Sequence, residues 1–286
     1  MILKQKYINI RGKLMDLELP RVMGIINVTP DSFYKGSRAM DTEAIVNMAA
    51  GKLAGGADIL DVGGYSSRPF ASSVSASEES RRVLTAIEVI SSRFPDAVIS
   101  IDTFRAEIAY KAVKDCGAHI INDITAGEGD SEMFEVVREL NVPYIMMHMK
   151  GIPANMQENP VYEDVVSEIL TWSGSKIARL RAVGVKDIIL DPGIGFGKTI
   201  KHNFEILRKL GDFSVTGLPL LIGLSRKSMI WKTLGLTPDD ALNGTTVLNT
   251  IALMGGADII RVHDVKEARE AVNLFMKLKN SVAGNK

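Results

Sequence analysis

Eight short apolar runs in this chain each stop on a residue able to do polar chemistry. MGIIN ends at Asn27, ADILD at Asp61, VISID at Asp102, HIIND at Asn122 and Asp123, YIMMH at His148, DIILD at Asp191, LLIGLSRK at Lys227 and DIIRVH at His263. Asp61, Asp102, Asn122 and Asp191 are suited to reading the donor and acceptor edge of a heterocycle, or to holding a hard cation together with Asn27. An acid at a strand end also serves as the N-cap of the next helix, so no single member is decisive and the recurrence carries the argument. His148, His202 and His263 lack the tight spacing of zinc ligands. Cations follow the last two runs, in Ser225-Arg226-Lys227-Ser228 and Arg261-Val262-His263-Asp264. Arg offers a planar fork for anionic oxygens and a flat face for stacking, and Lys a point charge, so Lys227, Arg261 and His263 together suggest an anion pocket.

Three loops add to this set. Gly193-Ile194-Gly195-Phe196-Gly197-Lys198-Thr199 resembles a phosphate-cradling P-loop, but Pro192 stands where the first glycine should be. The required spacing is one residue short, so a mobile glycine-rich loop is the better reading, with Phe196 either packed on a planar ligand or in simple packing. Asn27 to Phe33 and Gly63 to Pro69 are long and rich in hydroxyls, Gly and Pro, as functional loops are. Ser67 and Arg68 in the second either clamp a phosphate as the loops close or face solvent as ordinary loop residues.

Positioning so many strand ends together requires a particular architecture. From Arg21 onward strand-like runs alternate with amphipathic segments, which implies βαβ units and a parallel sheet. A weak repeat, GADILD from Gly56, GAHIIN from Gly117 and GADIIR from Gly256, with Gly184 to Asp191 as a longer variant, reads as a helix stop followed by a buried strand. The expected fold is a TIM (β/α)8 barrel over residues 1–286 as a single domain. Residues 1–20 form a short hairpin around Gly12 that closes the barrel bottom. A doubly wound open sheet would gather its site at one switch point instead of spreading it over nearly every strand. The barrel also accounts for the cations, because loops after its seventh and eighth strands commonly bind phosphate. Ser75 with Glu78, and Asp264 with Glu267, are expected to form capping boxes.

Bulk properties exclude several classes. Among 286 residues, 34 Lys+Arg balance 34 Asp+Glu, so no global charge recruits nucleic acid or an anionic membrane. The single Cys116 excludes an intramolecular disulfide framework and suits a reducing cytoplasm. No apolar stretch approaches the length of a membrane span, and MILKQKYINI lacks a signal-peptide core.

The strings GIINVTPDSF, GADILDVGGYSSRP, SIDTFR, INDITAG, MMHMKGIPANMQ, ILDPGIGFGKT, GLSRKSM, NGTT and RVHDV, in order from Met23 to Val265, resemble the dihydropteroate synthase family. The resemblance implies an enzyme that joins p-aminobenzoate to 6-hydroxymethyl-7,8-dihydropterin diphosphate, releasing diphosphate and 7,8-dihydropteroate for folate synthesis. It implies that Asp102, Asn122 and Asp191 bind the pterin, with Lys227 near the p-aminobenzoate side. Arg261 stacks on the pterin and, with His263, Ser67 and Arg68, holds the diphosphate; Asn27 coordinates Mg²⁺. Ser228, Pro69, Phe33 and Phe196 shape the p-aminobenzoate pocket. The catalytic set is then Asp102, Lys227, Arg261, His263 and Arg68, in a cytoplasmic homodimer that is a sulfonamide target. For that dimer Leu248, Ile251, Leu253 and Leu274 offer apolar faces, which can equally be barrel packing.

Two loops depart from the family's pattern. Where the family commonly reads DSFSDGG, this chain has Tyr34 and Lys35, and Tyr65 and Phe70 replace the Glu and final Gly of GGESTRPG. These changes keep two alternatives open: a non-catalytic pterin-binding paralogue, and a methyltransferase that uses methyltetrahydrofolate on the same barrel.

Overall fold

A parallel sheet of eight strands forms because each apolar run is followed by an amphipathic helix long enough to carry the chain back to the starting end. The computed structural model describes residues 4–28, 38–65, 74–151, 156 and 158–283. A hairpin of β1 (Tyr7–Ile10) and β2 (Lys13–Asp16) precedes β3 (Arg21–Asn27) and α1 (Arg38–Ala54). Then follow β4 (Ile59–Gly63), α2 (Ala76–Arg93), β5 (Val98–Asp102), α3 (Ala106–Lys111), β6 (Ile120–Asp123), α4 (Met133–Leu140), β7 (Tyr144–Met147) and α5 (Val165–Ala182). The chain continues through β8 (Ile188–Asp191), α6 (Ile200–Arg208), β9 (Leu221–Ile222), α7 (Ser228–Leu234), α8 (Leu242–Met254), β10 (Ile259–Val262) and α9 (Val265–Ala283). The sheet order is β8-β7-β6-β5-β4-β3-β10-β9, and a parallel bridge between Leu190 and Leu220 brings its two edges together. This is the expected (β/α)8 barrel, and the open-sheet alternative is set aside.

The repeated glycines act as helix stops. Gly56, Gly117, Gly184 and Gly256 have φ of 96°, 100°, 98° and 97°, the left-handed region that a side chain would strain. The N-terminal hairpin turns through Arg11 (φ 49°) and Gly12 (φ 85°), the two positive values that a two-residue turn matching strand twist requires.

Strand alternation places the site. Met23, Ile59, Ile120, Ile145, Ile189, Leu221 and Ile259 form one apolar layer inside the barrel, and Ile8, Ile10 and Leu17 of the hairpin segment seal it from below. Side chains alternate faces along a strand, so the residue two positions on points inward one layer higher. That step leads from Ile59 to Asp61, from Ile120 to Asn122, from Ile189 to Asp191 and from Ile259 to Arg261. The outward-facing alternates, such as Leu60, Ile121 and Ile260, join the larger core beneath the helices. An apolar plug thus supports a polar layer at the mouth.

Two capping expectations change. Ser75 Oγ accepts from Glu78 N at 3.2 Å, but the Glu78 carboxylate turns to Arg81 and Arg82 instead of closing the box. The Asp264 carboxylate is taken by Arg226 in a two-pronged contact at 2.9 Å on each prong. The reciprocal box forms where it was not expected, between Thr199 and His202 at the start of α6.

Candidate active site

Arg261 lies at the centre of the mouth. Its Nε donates to Asp61 Oδ2 and its Nη2 to Asp102 Oδ2, both at 2.6 Å, and Asn122 Nδ2 donates to the same Asp61 oxygen at 3.2 Å. Three strands are thereby joined through one guanidinium. Its edge is occupied by carboxylates, which leaves the flat faces of the fork for stacking.

Asp61 is fully buried and forms part of this lattice. Its Oδ1 has no hydrogen-bond partner among the described residues. A buried acceptor left open costs free energy unless a donor fills it, so this atom favours a ligand N–H or water. Burial, and then the charges of Asp61, Asp123 and Asp191, push the Asp102 carboxyl upward against the pull of Arg261.

Asp191 ends β8 with its Oδ1 accepting from Gly193 N at 2.7 Å. Burial raises its carboxyl too, opposed chiefly by Lys227. Asp123, next to Asn122 but facing outward, is structural. It accepts from Thr125 N and Oγ1 at 2.7 Å, Gly127 N at 2.8 Å and Tyr144 OH at 2.7 Å, which builds the turn after β6.

The anion loops are cross-linked. Lys227 donates to Ile194 O, and its ammonium lies 4.8 Å from the centre of the Phe196 ring, a cation–π arrangement. Burial brings that ammonium down to about 8, with Asp191 opposing. Ser225 Oγ accepts from His263 N at 3.1 Å and lies 3.0 Å from His263 Nδ1. One hydrogen bond joins the hydroxyl and Nδ1, and when the hydroxyl donates it the imidazole proton sits on Nε2. Burial, reinforced by Arg261 and Lys52, lowers His263 to about 4, so the ring is neutral at pH 7 and acts as a donor, where the sequence suggested a cation. Arg226 adopts φ 56° while its fork grips Asp264 and the carbonyls of Pro238 and Asp239. It serves as a brace between the two loops.

Asn27 closes β3 on the same inward face, beside Gly63 in register. Ser228 opens α7 and is exposed at the rim. Ser67, Arg68, Pro69, Phe33, Tyr34, Lys35 and Phe70 lie outside the described residues. Tyr65 is within them, with its ring edge-on to Phe104 at 5.4 Å. The glycine-rich loop after β8 differs from the mobile segment expected, because it is pinned at several backbone groups. Asn203 Oδ1 accepts from Gly195 N at 2.8 Å, Tyr162 OH donates to Gly197 O at 2.9 Å, and Lys198 Nζ donates to the Gly193 and Phe196 carbonyls at 2.9 Å. Lys198 therefore points into the protein, away from any phosphate, which disposes of the P-loop reading.

Comparison with known proteins agrees with this geometry. Residues 23–263 match the family described as "Pterin binding enzyme". The chain is 44% identical over 266 residues to the dihydropteroate synthase of Escherichia coli (strain K12), covering 92% of this chain and 93% of the relative. Among solved structures, the Yersinia pestis dihydropteroate synthase with a sulfonamide drug complex aligns with a TM-score of 0.89 at 39% identity, over 96% of this chain and 99% of that one. The Xanthomonas albilineans dihydropteroate synthase with 4-aminobenzoic acid aligns with a TM-score of 0.89 at 35% identity, over the same shares.

Proposed function

The chain belongs to the dihydropteroate synthase family of pterin-binding enzymes, and from that premise we propose how its strand ends divide the work. It is a transferase of folate biosynthesis that joins 6-hydroxymethyl-7,8-dihydropterin diphosphate to p-aminobenzoate. The observation that carries our assignment is the lattice of Asp61, Arg261 and Asp102 over Asn122. It combines acceptors for pterin N–H groups with a cation whose free faces suit the ring.

In this reading Asp102, Asn122 and Asp191 hold the pterin edge, and the open Oδ1 of Asp61 accepts a further donor. The diphosphate lies toward Arg261 and the Nε2–H of His263, the role the resemblance also gives Ser67 and Arg68. Phe196, Lys227 and Ser228 border the p-aminobenzoate side, the role the resemblance also gives Pro69 and Phe33. When the methylene–oxygen bond breaks, positive charge shared between the methylene and the electron-rich pterin is stabilised by the Asp102 carboxylate. The departing oxygens are met by Arg261 and the His263 donor. The neutral aniline nitrogen then attacks and needs no strong base, since its acidity rises once the new bond forms.

Mg²⁺ fits the donor set as a metal shared with the substrate. Asn27 supplies an oxygen at the mouth, and among the described residues no group of three His, Cys, Asp or Glu forms a cage for it. Mg²⁺ commonly keeps its waters and takes substrate phosphate oxygens with few protein ligands, and when bound it neutralises leaving-group charge.

Mixing pterin diphosphate, p-aminobenzoate and Mg²⁺ tests the assignment. Diphosphate release that requires p-aminobenzoate is expected, whereas a non-catalytic paralogue or a methyltetrahydrofolate-dependent methyltransferase releases none.

The pH dependence of pterin diphosphate binding follows from Lys227. As pH rises through about 8 the ammonium, close enough to Arg261 to feel its charge, loses its proton, and the mouth that holds the diphosphate loses positive potential. Affinity measured by calorimetry should fall across that window, and the Lys227 component should vanish in Lys227→Met. An unchanged pH slope in the variant would remove Lys227 from the binding site.

We also propose a homodimer formed through α8 and α9. Val247, Ile251 and Met254 on α8 are exposed, as are Leu274 and Leu278 on α9, and the two helices pack side by side. Leu253 and Leu248 instead join the core, so only Ile251 and Leu274 of the residues first considered remain free for a partner. A second copy presenting the same stripes covers both patches by symmetry. Sedimentation of the parent should give a dimer and of Met254→Lys with Leu274→Lys a monomer; a monomeric parent would contradict it. No helix among the described residues is long and apolar enough to cross a membrane. We place the activity in the cytoplasm, where the unpaired, buried Cys116 remains a thiol.

A further inference from the structure

Lys198 is a buried lysine, and burial brings its ammonium down to about 7, opposed by the charge of Asp191. Its side chain is 2% exposed, and among the described residues it makes no ion pair with a carboxylate. Its Nζ instead donates to Gly193 O and Phe196 O at 2.9 Å, and meets His148 Nδ1 at 3.0 Å and His148 O at 3.2 Å. Taking an ammonium out of water costs several kcal/mol, which four acceptors offset only if they are held in place. The arrangement therefore ties two loops together, the one following β7 and the one following β8.

The packing between those loops leaves no slack. A Cβ on Gly193 would fall 1.9 Å from His148 O, and one on Gly197 would fall 2.2 Å from Lys150 O. Both glycines have positive φ, at 70° and 62°, so the backbones meet directly. His148 is itself held edge-on by Trp172, with ring centres 4.9 Å apart. On its far side the same loop offers Ile194 O to Lys227 and places the Phe196 ring 4.8 Å from the Lys227 ammonium. Lys198 grips the peptide carbonyl of Phe196 itself.

We propose that Lys198, held by His148, is a positioning residue that fixes Phe196 beside Lys227 and thereby sets affinity for the aromatic amine substrate. This rests on the reading above that Phe196 borders p-aminobenzoate. Asp191, on the pterin side, feels Lys198 only as the smallest of the influences that lower its carboxyl, after Lys227, the Gly193 N–H at 2.7 Å and Arg261, so the pterin side depends less on Lys198.

Steady-state kinetics with each substrate varied separates positioning from general loosening. In Lys198→Met the KM for p-aminobenzoate should rise about tenfold, with kcat and the KM for pterin diphosphate each changed by less than about threefold. Methylammonium added to Lys198→Ala should lower the raised KM. His148→Leu should raise the same KM, and the double variant should add little to Lys198→Met, as for two members of one unit. Equal loss on both substrates, or a fall in kcat with an unchanged p-aminobenzoate KM, would overturn the proposal. If Lys198→Met does not fold by circular dichroism, His148→Leu carries the same test, with an expected rise of about threefold. A parent active in p-aminobenzoate-dependent release with unaltered KM in these variants refutes only this inference. A parent without that release refutes the assignment and this inference with it.

Discussion

Arg261→Met should be the most damaging single substitution at the mouth. It removes the cation shared by Asp61 and Asp102, whose oxygens both lie 2.6 Å from the guanidinium. Asp61 is fully buried, so the change strands a charge out of contact with bulk solvent, a defect that typically costs about 3–5 kcal/mol. The same deletion takes away the main cation facing the leaving group, and kcat/KM should fall by about a thousandfold or more. The pH dependence gives an internal check. The Asp102 carboxyl already titrates above its free value, because burial and neighbouring acids disfavour its ionised form. A raised carboxyl binds its proton in the folded state first, so lowering the pH from neutral favours the fold relative to the unfolded chain. Without Arg261 the carboxyl is raised further still, so the variant's folded state takes up this proton at a pH where the parent's does not, and its deficit in urea unfolding should shrink as the pH falls toward about 7, where the parent's own Asp102 protonates. A deficit that grows on acidification would contradict this ordering of charges. Arg261→Lys should recover part of the stability but little of the rate, since a point charge cannot bridge two carboxylates and also offer a flat face.

Asp102→Asn should divide binding from turnover. The amide keeps the size of the carboxylate and some of its hydrogen-bonding capacity, while Arg261 retains Asp61 as a partner. The ground-state pterin should therefore bind with only a modest loss. Positive charge appearing on the methylene as diphosphate departs has lost its counter-charge, and kcat should fall by about a hundredfold to a thousandfold, the range seen when one electrostatic stabiliser is removed. Single-turnover rates and equilibrium binding measured on the same preparation check this. Intact turnover with weakened pterin affinity would make Asp102 a binding residue only.

Much of this was legible in sequence because barrel geometry converts period-two alternation into position. Knowing that Ile59, Ile189 and Ile259 are inward is enough to place Asp61, Asp191 and Arg261 one layer higher on the same face. The helix stops at Gly56, Gly117, Gly184 and Gly256 were visible for an equally local reason, the left-handed backbone that glycine tolerates. What escaped depended on depth and on partners distant in the chain. Asp61 could not be told from an ordinary strand-end cap, because nothing nearby in sequence reveals that Arg261, 200 residues away, closes on it. The charge state of His263 was misjudged because desolvation is set by the surrounding walls and not by the RVHD string. Lys198 follows three glycines, as a phosphate-binding lysine does, and only the packing of Gly193 and Gly197 against residues 148–150 turns it inward. Asp264 suited a capping box, but a fork arriving from Arg226 offers two charge-assisted bonds where a backbone N–H offers one.

The claim on which the rest depends is that the mouth of this barrel drives diphosphate away before the aniline nitrogen has bonded strongly to the methylene. Single-turnover rates with pterin diphosphate deuterated at that methylene, compared with the unlabelled substrate at saturating p-aminobenzoate, test it most directly. A normal secondary isotope effect clearly above unity is expected, because the methylene carbon flattens as bond breaking runs ahead of bond making. A ratio at or below unity would mean that the amine attacks while the leaving group is still firmly attached. The lattice of Asp61, Asp102 and Arg261 would then not be stabilising developing positive charge.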